Sequence, residues 1–317
     1  MKNIAILTGG DSAEYDISIL SASTVLQNLN PKLFKSYIIH LKNNKFTVLI
    51  KDTKININIS DFTFEVENKR ISFDKIFISL HGNPAENGLI QPYFDNLNIP
   101  YTCCNAKVSA LTFNKYECNK KLKTLGFNCA ASFLYKKGDN IIEQKIIDRI
   151  KLPCFVKPNG AGSSFGISKV NKKKDLTKAI NSALHHDNKV IIEQFIDGIE
   201  ISCGVYTNKN NIHALPITEI VTENEFFDYQ AKYEGESQEI TPARISKKLT
   251  IEVQKLTTDI YKEMELKGIC RIDYIIMNEK PYIIEINTIP GFTEESLIPK
   301  QVKSANLKLS VIFESCL

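Results

Sequence analysis

Two apolar, β-branched runs near the C-terminal end constrain this chain more than any other stretch. The first is Arg271-Ile-Asp-Tyr-Ile-Ile-Met277 and the second Pro281-Tyr-Ile-Ile-Glu-Ile-Asn287, parted by a short polar break. Period-two alternation on both sides of such a break predicts an antiparallel strand pair. Alternate side chains share a face of a strand, so Arg271 lies with Asp273 and Glu285 with Asn287. With the pair in register, three oxygen ligands and one guanidinium meet on one patch. Oxygen-only donors suit Mg²⁺, which keeps several waters and completes its shell with phosphate oxygens. Charges alternating with apolar residues also mark the solvated face of an ordinary half-buried strand. All four polar residues together, followed at once by Thr288-Ile-Pro-Gly291, make the hairpin a candidate site for a metal-bound nucleotide.

At 317 residues the chain exceeds what one core usually serves, and two or three compact units are expected. The apolar share of 43% and charged share of 24% are those of a globular protein rather than a disordered one. The net charge of +4 comes from lysines spread along the chain, without a basic block, which argues against nucleic-acid binding. The chain enters a strand at once, with no apolar leader, and nowhere holds a run long enough to span a bilayer. Its eight cysteines show no Cys-x-x-Cys and no zinc-type His spacing, as in a reduced, cytoplasmic protein with no membrane partner.

The first hundred residues read as a small α/β unit. Strands are expected at 3–8, 36–41, 45–50 and 75–80, with a helix after Gly9-Gly10 burying Ile19, Ala22, Leu26 and Leu29. The strand at 75–80 ends in the turn cluster His81-Gly82-Asn83-Pro84, a place where function often sits. Asn105 predicts the cap of a helix running to Leu125 and stopped by Gly126. A strand ending at Lys157-Pro158, the glycine and serine loop 160–166, and a strand at 167–170 follow. Such a loop can lay backbone N–H groups over phosphates, with Lys157 as a point charge, although it is not a Walker loop. A helix is expected over 172–186, a strand from Lys189, and another opened by Glu200. Residues 222–242 show no period; a loop that long is usually functional or disordered, and its aromatics argue against disorder. Ser246 predicts the cap of a helix with Leu249, Val253, Leu256, Ile260 and Met264 on one stripe.

In this order and at these separations, several short motifs resemble the ATP-grasp superfamily, and within it the D-alanine–D-alanine ligases. They are Thr8-Gly-Gly-Asp-Ser-Ala-Glu14, Leu80-His-Gly82, Thr112-Phe-Asn-Lys115, Phe155-Val-Lys157, Gly162-Ser-Ser-Phe-Gly166, Ile192-Glu193, Phe227-Asp-Tyr-Gln-Ala-Lys-Tyr233, Arg271-Ile-Asp273, Glu285-Ile-Asn-Thr-Ile-Pro-Gly291 and Ser296-Leu297. The resemblance covers nearly the whole chain. It implies a mixed α/β (α+β) fold with three units: an N-terminal Rossmann-like α/β domain over 1–104, a central subdomain with the phosphate loop over 105–190, and a C-terminal subdomain with metal site and lid over 191–317.

The resemblance also implies ATP-dependent joining of two D-alanines through an acyl phosphate, for peptidoglycan synthesis, by a cytoplasmic homodimer. Lys115, Lys157 and Lys232 would contact ATP phosphates beneath the loop that carries Ser164. Glu193, Gln194 and Ile196 would hold adenine, and Glu200 the ribose. Asp273, Glu285 and Asn287 would bind two Mg²⁺ or Mn²⁺ ions. Glu14, supported by Ser163 and Tyr233, would meet the first D-alanine, with His81 beside it. Ser296 and Leu297 would hold the second, while Arg271 and the Gly291 N–H stabilise the oxyanion. Departures from the family pattern are Ala85-Glu86-Asn87-Gly88, Pro92, Asn159-Gly160-Ala161 and Gln230. Two alternatives stand beside this reading: another ATP-grasp ligase, including a D-alanine–D-lactate enzyme, and a catalytically silent nucleotide-binding protein of the same fold.

Overall fold

Residues 1–160, 162, 166–222 and 237–317 are described by the structure, a computed structural model. Ser163, Ser164, Lys232 and Tyr233 lie outside the described residues, as does most of the expected lid.

Ile4, Ala5, Ile6 and Leu7 are all fully buried, the pattern of a strand covered on both faces. They form β1 (Lys2–Gly9), which runs parallel to β2 (Phe34–Lys42) and, on its other side, β7 (Lys75–Ile78). The helix α1 (Tyr15–Asn28) connects β1 to β2. Beyond β2 the sheet turns antiparallel through β3 (Lys45–Ile50) and β4 (Thr53–Asn56), giving the order β4-β3-β2-β1-β7. A hairpin of β5 (Phe64–Val66) and β6 (Lys69–Ile71) packs nearby. The expected stripe on α1 is corrected: Leu26 is exposed, and the buried face is Ser18, Ser21, Ala22 and Val25. Two serines sit in that face because they meet His81, while Ala22 and Val25 pack in the aliphatic core.

After β7 come α2 (Gln91–Asn96), with Pro92 in its first turn where a missing N–H costs nothing, α3 (Ala106–Phe113) and α4 (Lys115–Thr124). The single helix expected from Asn105 to Leu125 is therefore two. Asn105 caps the first, accepting from the Val108 N–H at 2.9 Å. Asn114 breaks the run with an extended backbone and caps the second, accepting from the Glu117 N–H at 3.1 Å.

The second sheet, in the order β10-β9-β11-β8, holds β8 (Ser132–Lys136), β9 (Cys154–Pro158), β10 (Ser168–Val170) and β11 (Lys189–Gln194), all antiparallel. Helices α5 (Glu143–Ile150) and α6 (Leu176–Ala183) pack on it around Val156, Ile180 and Ile192. The expected helix over 172–186 is shorter, since Lys173–Asp175 form a 3₁₀ turn ahead of α6. The unit boundary expected at residue 190 falls inside β11, so this sheet closes only at Gln194.

In the third sheet the order is β15-β14-β12-β16-β17, built from β12 (Ile199–Asn208), β14 (Thr218–Thr222), β15 (Ser237–Ile240), β16 (Cys270–Met277) and β17 (Lys280–Asn287), with β13 (Asn211–Ala214) paired to β12. The two ends of the expected loop at 222–242 are strand: Thr222 lies opposite Ser237 and Glu219 opposite Ile240. Helix α7 (Lys247–Glu263), capped by Ser246 as expected, buries Leu249, Val253 and Ile260, each contributing about 1.5–3 kcal/mol. Helices α8 (Leu297–Ser304) and α9 (Leu309–Ser315) end the chain. Gln301 on α8 is wholly buried; its Oε1 accepts from the Gly204 N–H at 2.9 Å, and its Nε2 donates to Ser202 O and Thr218 Oγ1. The first and third sheets share a core in which Phe77 meets Phe292 and Phe313 edge to face. That contact holds the turn after β17 against the first unit.

Candidate active site

A cavity of about 950 Å³ is lined by residues of the second and third sheets and of the segments that follow β1 and β7. Glu14, His81, Lys115, Lys157, Glu193, Gln194, Ile196, Glu200, Arg271, Asp273, Glu285, Asn287, Gly291, Ser296 and Leu297 all line it. Every described residue singled out from the sequence thus faces one space.

The hairpin provides one wall. Arg271 pairs with Asn287 and Asp273 with Glu285 across β16 and β17, with an irregularity in register just after Asp273. Asp273 is buried and heavily engaged. Arg271 donates to both of its oxygens at 2.8 Å, the Ser202 hydroxyl donates at 2.6 Å, and Asn287 Nδ2 donates at 2.9 Å. Ser202 was not foreseen. It stands opposite Asp273 on β12, and only the register with a strand distant in sequence brings the two together. Among the described residues no group of three or more His, Cys, Asp or Glu could hold a metal. Two carboxylates and an amide instead form a partial, all-oxygen set, which fits a hard divalent ion completing its shell with phosphate and water.

Charge on the second sheet is set by Lys157 and Glu193, 3.0 Å apart. Glu193 also accepts from Asn119 Nδ2 at 2.6 Å. Burial opposes the Lys157 charge, but Glu193, with Glu285 and Glu200 beyond it, outweighs burial and raises its pKa. Lys115 opens α4 and is fixed through Asn159. The carbonyl of Asn159 accepts from the Lys115 N–H, its Oδ1 from the Tyr116 N–H, and its Nδ2 donates to Asn114. The departure at Asn159 is therefore structural: the amide ties the start of the phosphate loop to α4.

Glu14 lies between two glycines. A Cβ at Gly82 would stand 3.1 Å from its Oε2, and one at Gly162 would stand 3.0 Å away. Gly88 is equally constrained by its positive φ and by Ala106 O, while Asn87 Nδ2 donates to Asn83 at 2.8 Å, so Ala85-Glu86-Asn87-Gly88 makes a sound turn. Burial, with Glu14 and Glu285 near it, pushes the Glu86 carboxyl up to about 8. On the opposite side a Cβ at Gly291 would meet Ser296 Oγ at 2.6 Å, and that hydroxyl shares a hydrogen bond with Thr293 at 2.8 Å. His81 was expected beside the substrate. It lines the cavity, but both ring nitrogens are taken by protein, Nδ1 at 2.9 Å from Ile289 O and Nε2 at 3.1 Å from Ser21 Oγ. Burial lowers its pKa against the pull of Glu14.

Residues 3–104 match the family model described as D-ala D-ala ligase N-terminus, and residues 122–317 match that of the C-terminus. A D-alanine–D-alanine ligase of Flavobacterium johnsoniae is 46% identical over 318 residues, covering 100% of this chain and 98% of the relative. The VanG D-Ala:D-Ser ligase of Enterococcus faecalis superposes with a TM-score of 0.87 at 30% identity, over 99% of this chain and 98% of that one. A D-alanine–D-alanine ligase of Bacillus anthracis complexed with ATP gives 0.80 at 26% identity, over 100% and 97%.

Proposed function

The chain belongs to the D-alanine–D-alanine ligase family, and from that premise we propose how its cavity joins the two substrates. The enzyme uses ATP to ligate two D-alanines for peptidoglycan synthesis. One observation carries the residue assignment: phosphate-type lysines, the Arg271 hairpin, and the Gly291–Ser296 turn all line one cavity.

A carboxylate is a poor electrophile. The first D-alanine's carboxylate oxygen therefore attacks the γ-phosphorus of ATP, the bond to the bridging oxygen breaks, and ADP leaves. Phosphoryl transfer depends mainly on positioning and charge neutralisation, the task of Lys115 and Lys157 with Lys232 and the loop bearing Ser164. Adenine lies against Glu193, Gln194 and Ile196, and the ribose hydroxyls on Glu200. Asp273, Glu285 and Asn287 would hold Mg²⁺ or Mn²⁺, which would supply positive charge against the phosphates.

Glu14, with Ser163 and Tyr233, binds the ammonium of the first D-alanine. The second D-alanine, held by Ser296 and Leu297, passes an ammonium proton to a phosphoryl oxygen of the acyl phosphate and attacks the acyl carbon; the bond to phosphate breaks and inorganic phosphate departs with that proton. Charge that builds on the carbonyl oxygen meets Arg271 and the Gly291 N–H. His81, with both ring nitrogens engaged by protein, supports the wall rather than donating to substrate.

No described helix is long and apolar enough to cross a membrane. ADP release measured with D-alanine, L-alanine, D-lactate and D-serine tests the reading. Turnover with D-alanine and not with L-alanine is expected; equal release with both, or none with D-alanine, overturns it.

A further inference from the structure

Three serines from the start of the chain close around His81. Ser12 Oγ donates to the His81 carbonyl at 3.2 Å, and Ser18 Oγ accepts from the His81 N–H at 3.0 Å. Ser21 Oγ, fully buried, lies 3.1 Å from Nε2 and also accepts from the Phe292 N–H at 3.2 Å. The ring's Nδ1 faces Ile289 O, which can only accept, so a neutral ring carries its proton on Nδ1. Nε2 is then an acceptor, and the Ser21 hydroxyl must supply its proton there. The chain reads Phe292 N–H to Ser21, Ser21 O–H to His81, His81 N–H to Ile289.

Both ends of this chain fall on the turn that brackets Pro290 and Gly291. The same helix carries Glu14 at its N-terminus, where Ser18 Oγ donates to the Glu14 carbonyl at 3.0 Å. We infer that Ser21 is a positioning residue: through His81 it fixes the Gly291 turn relative to Glu14, and so aligns the oxyanion donor with the anchored first substrate. This rests on the oxyanion role given to Arg271 and Gly291 above. Neither ligand contact nor core filling explains a buried serine bonded to that turn directly and through a ring.

The test compares Ser21→Ala, Ser21→Cys and Arg271→Met in the full-length enzyme. Misplacing a reacting group by about 1 Å can cost roughly a hundredfold, so Ser21→Ala should lower kcat by about tenfold to a hundredfold. KM for ATP should stay within about twofold, because nucleotide binding does not pass through this turn. Ser21→Cys, similar in size and a weaker donor, should fall between the two. Positional isotope exchange in ATP with D-alanine, which reads acyl phosphate formation alone, should persist in Ser21→Ala while dipeptide formation falls. An unchanged kcat in Ser21→Ala, or exchange and dipeptide formation lost in equal measure with Ser21→Cys no better than Ser21→Ala, overturns the inference. If Arg271→Met also leaves kcat unchanged, the oxyanion reading itself has failed. A normal Arg271 effect beside a silent Ser21→Ala rejects the positioning role alone. Should Ser21→Ala fail to fold, Ser21→Cys decides by the same kcat-to-KM split.

Discussion

Lys157→Met keeps the length of the side chain and deletes its charge. The ammonium stands 3.0 Å from Glu193 Oε2, with only 13% and 8% of the two side chains exposed. At that separation and an effective dielectric of about 20 the gross attraction is about 5 kcal/mol. Desolvation of both ions offsets much of it, so the intact pair is worth little net. The variant suffers more, because Glu193 stays buried with Asn119 as its remaining described donor. Breaking one side of a buried pair costs about 3–5 kcal/mol. The cavity admits water to the carboxylate, which favours the lower end, about 3 kcal/mol. At about 2–4 °C per kcal/mol for a large domain, calorimetry should show Tm lower by about 6–12 °C. Lys157→Met with Glu193→Gln removes both charges and should regain at least about half of that loss. Because the folded lysine pKa is raised, the stabilisation is complete below the unfolded value near about 10.4 and is lost only as pH rises through the folded value. The gap between wild type and Lys157→Met should therefore be constant from about pH 6 to 9. A single variant as stable as wild type, or a double variant less stable than the single, refutes the argument.

Arg271→Met should lower kcat by about 10²–10³ with little change in ATP binding, since the charge it meets appears mainly in the transition state; steady-state kinetics with a fall confined to KM for ATP would make it a ground-state ligand. Gly291→Ala forces a Cβ to 2.6 Å from Ser296 Oγ, so KM for the second D-alanine should rise by about tenfold or more, and unchanged kinetics would free that turn from the substrate. Glu86, pushed up to about 8, keeps a proton in the folded state that the unfolded chain loses above about 4.5. Stability of the metal-free protein should then fall from about pH 4.5 to 8 and level off above it. Glu86→Gln should abolish that slope, gaining about 1–3 kcal/mol at pH 8.5 and nothing at pH 4.5 in urea titrations; parallel slopes would refute it.

Local chemistry was legible wherever it is written in neighbouring residues. The β16–β17 hairpin follows from alternation and one turn, and its pairing of Asp273 with Glu285 is the register that alternation allows. The caps at Asn105 and Ser246 are single-residue signals and both make the expected bond. Most of what failed was decided at long range. The buried face of α1 holds Ser18 and Ser21 because His81 lies across from it, sixty residues away in sequence, and an apolar stripe cannot announce a polar partner. Ser18 and Ser21 at a spacing of three were the available sign. Asn114 looked like the middle of a helix, yet its side chain competes for the backbone and starts a new one. Ser202 and Asn119 touch functional carboxylates from strands and helices whose neighbours only the assembled fold selects.

Gln301 and Gly204 carry a consequence for how such sequences can diverge. The amide of Gln301 fills the space where β12 passes from β14 to β13 as its neighbour, and a Cβ at Gly204 would stand 2.6 Å from its Oε1 and from Ile298 Cδ1. The two positions form one heritable unit. A side chain cannot appear at 204 while the long amide remains at 301, and loss of the amide orphans a buried N–H at 204. Change at either site alone gives an overfilled or unsatisfied protein, so a paired change should be tolerated better than either single one. The helix that begins with Ser296 and Leu297 is thereby held in place by a pair of residues outside the cavity lining.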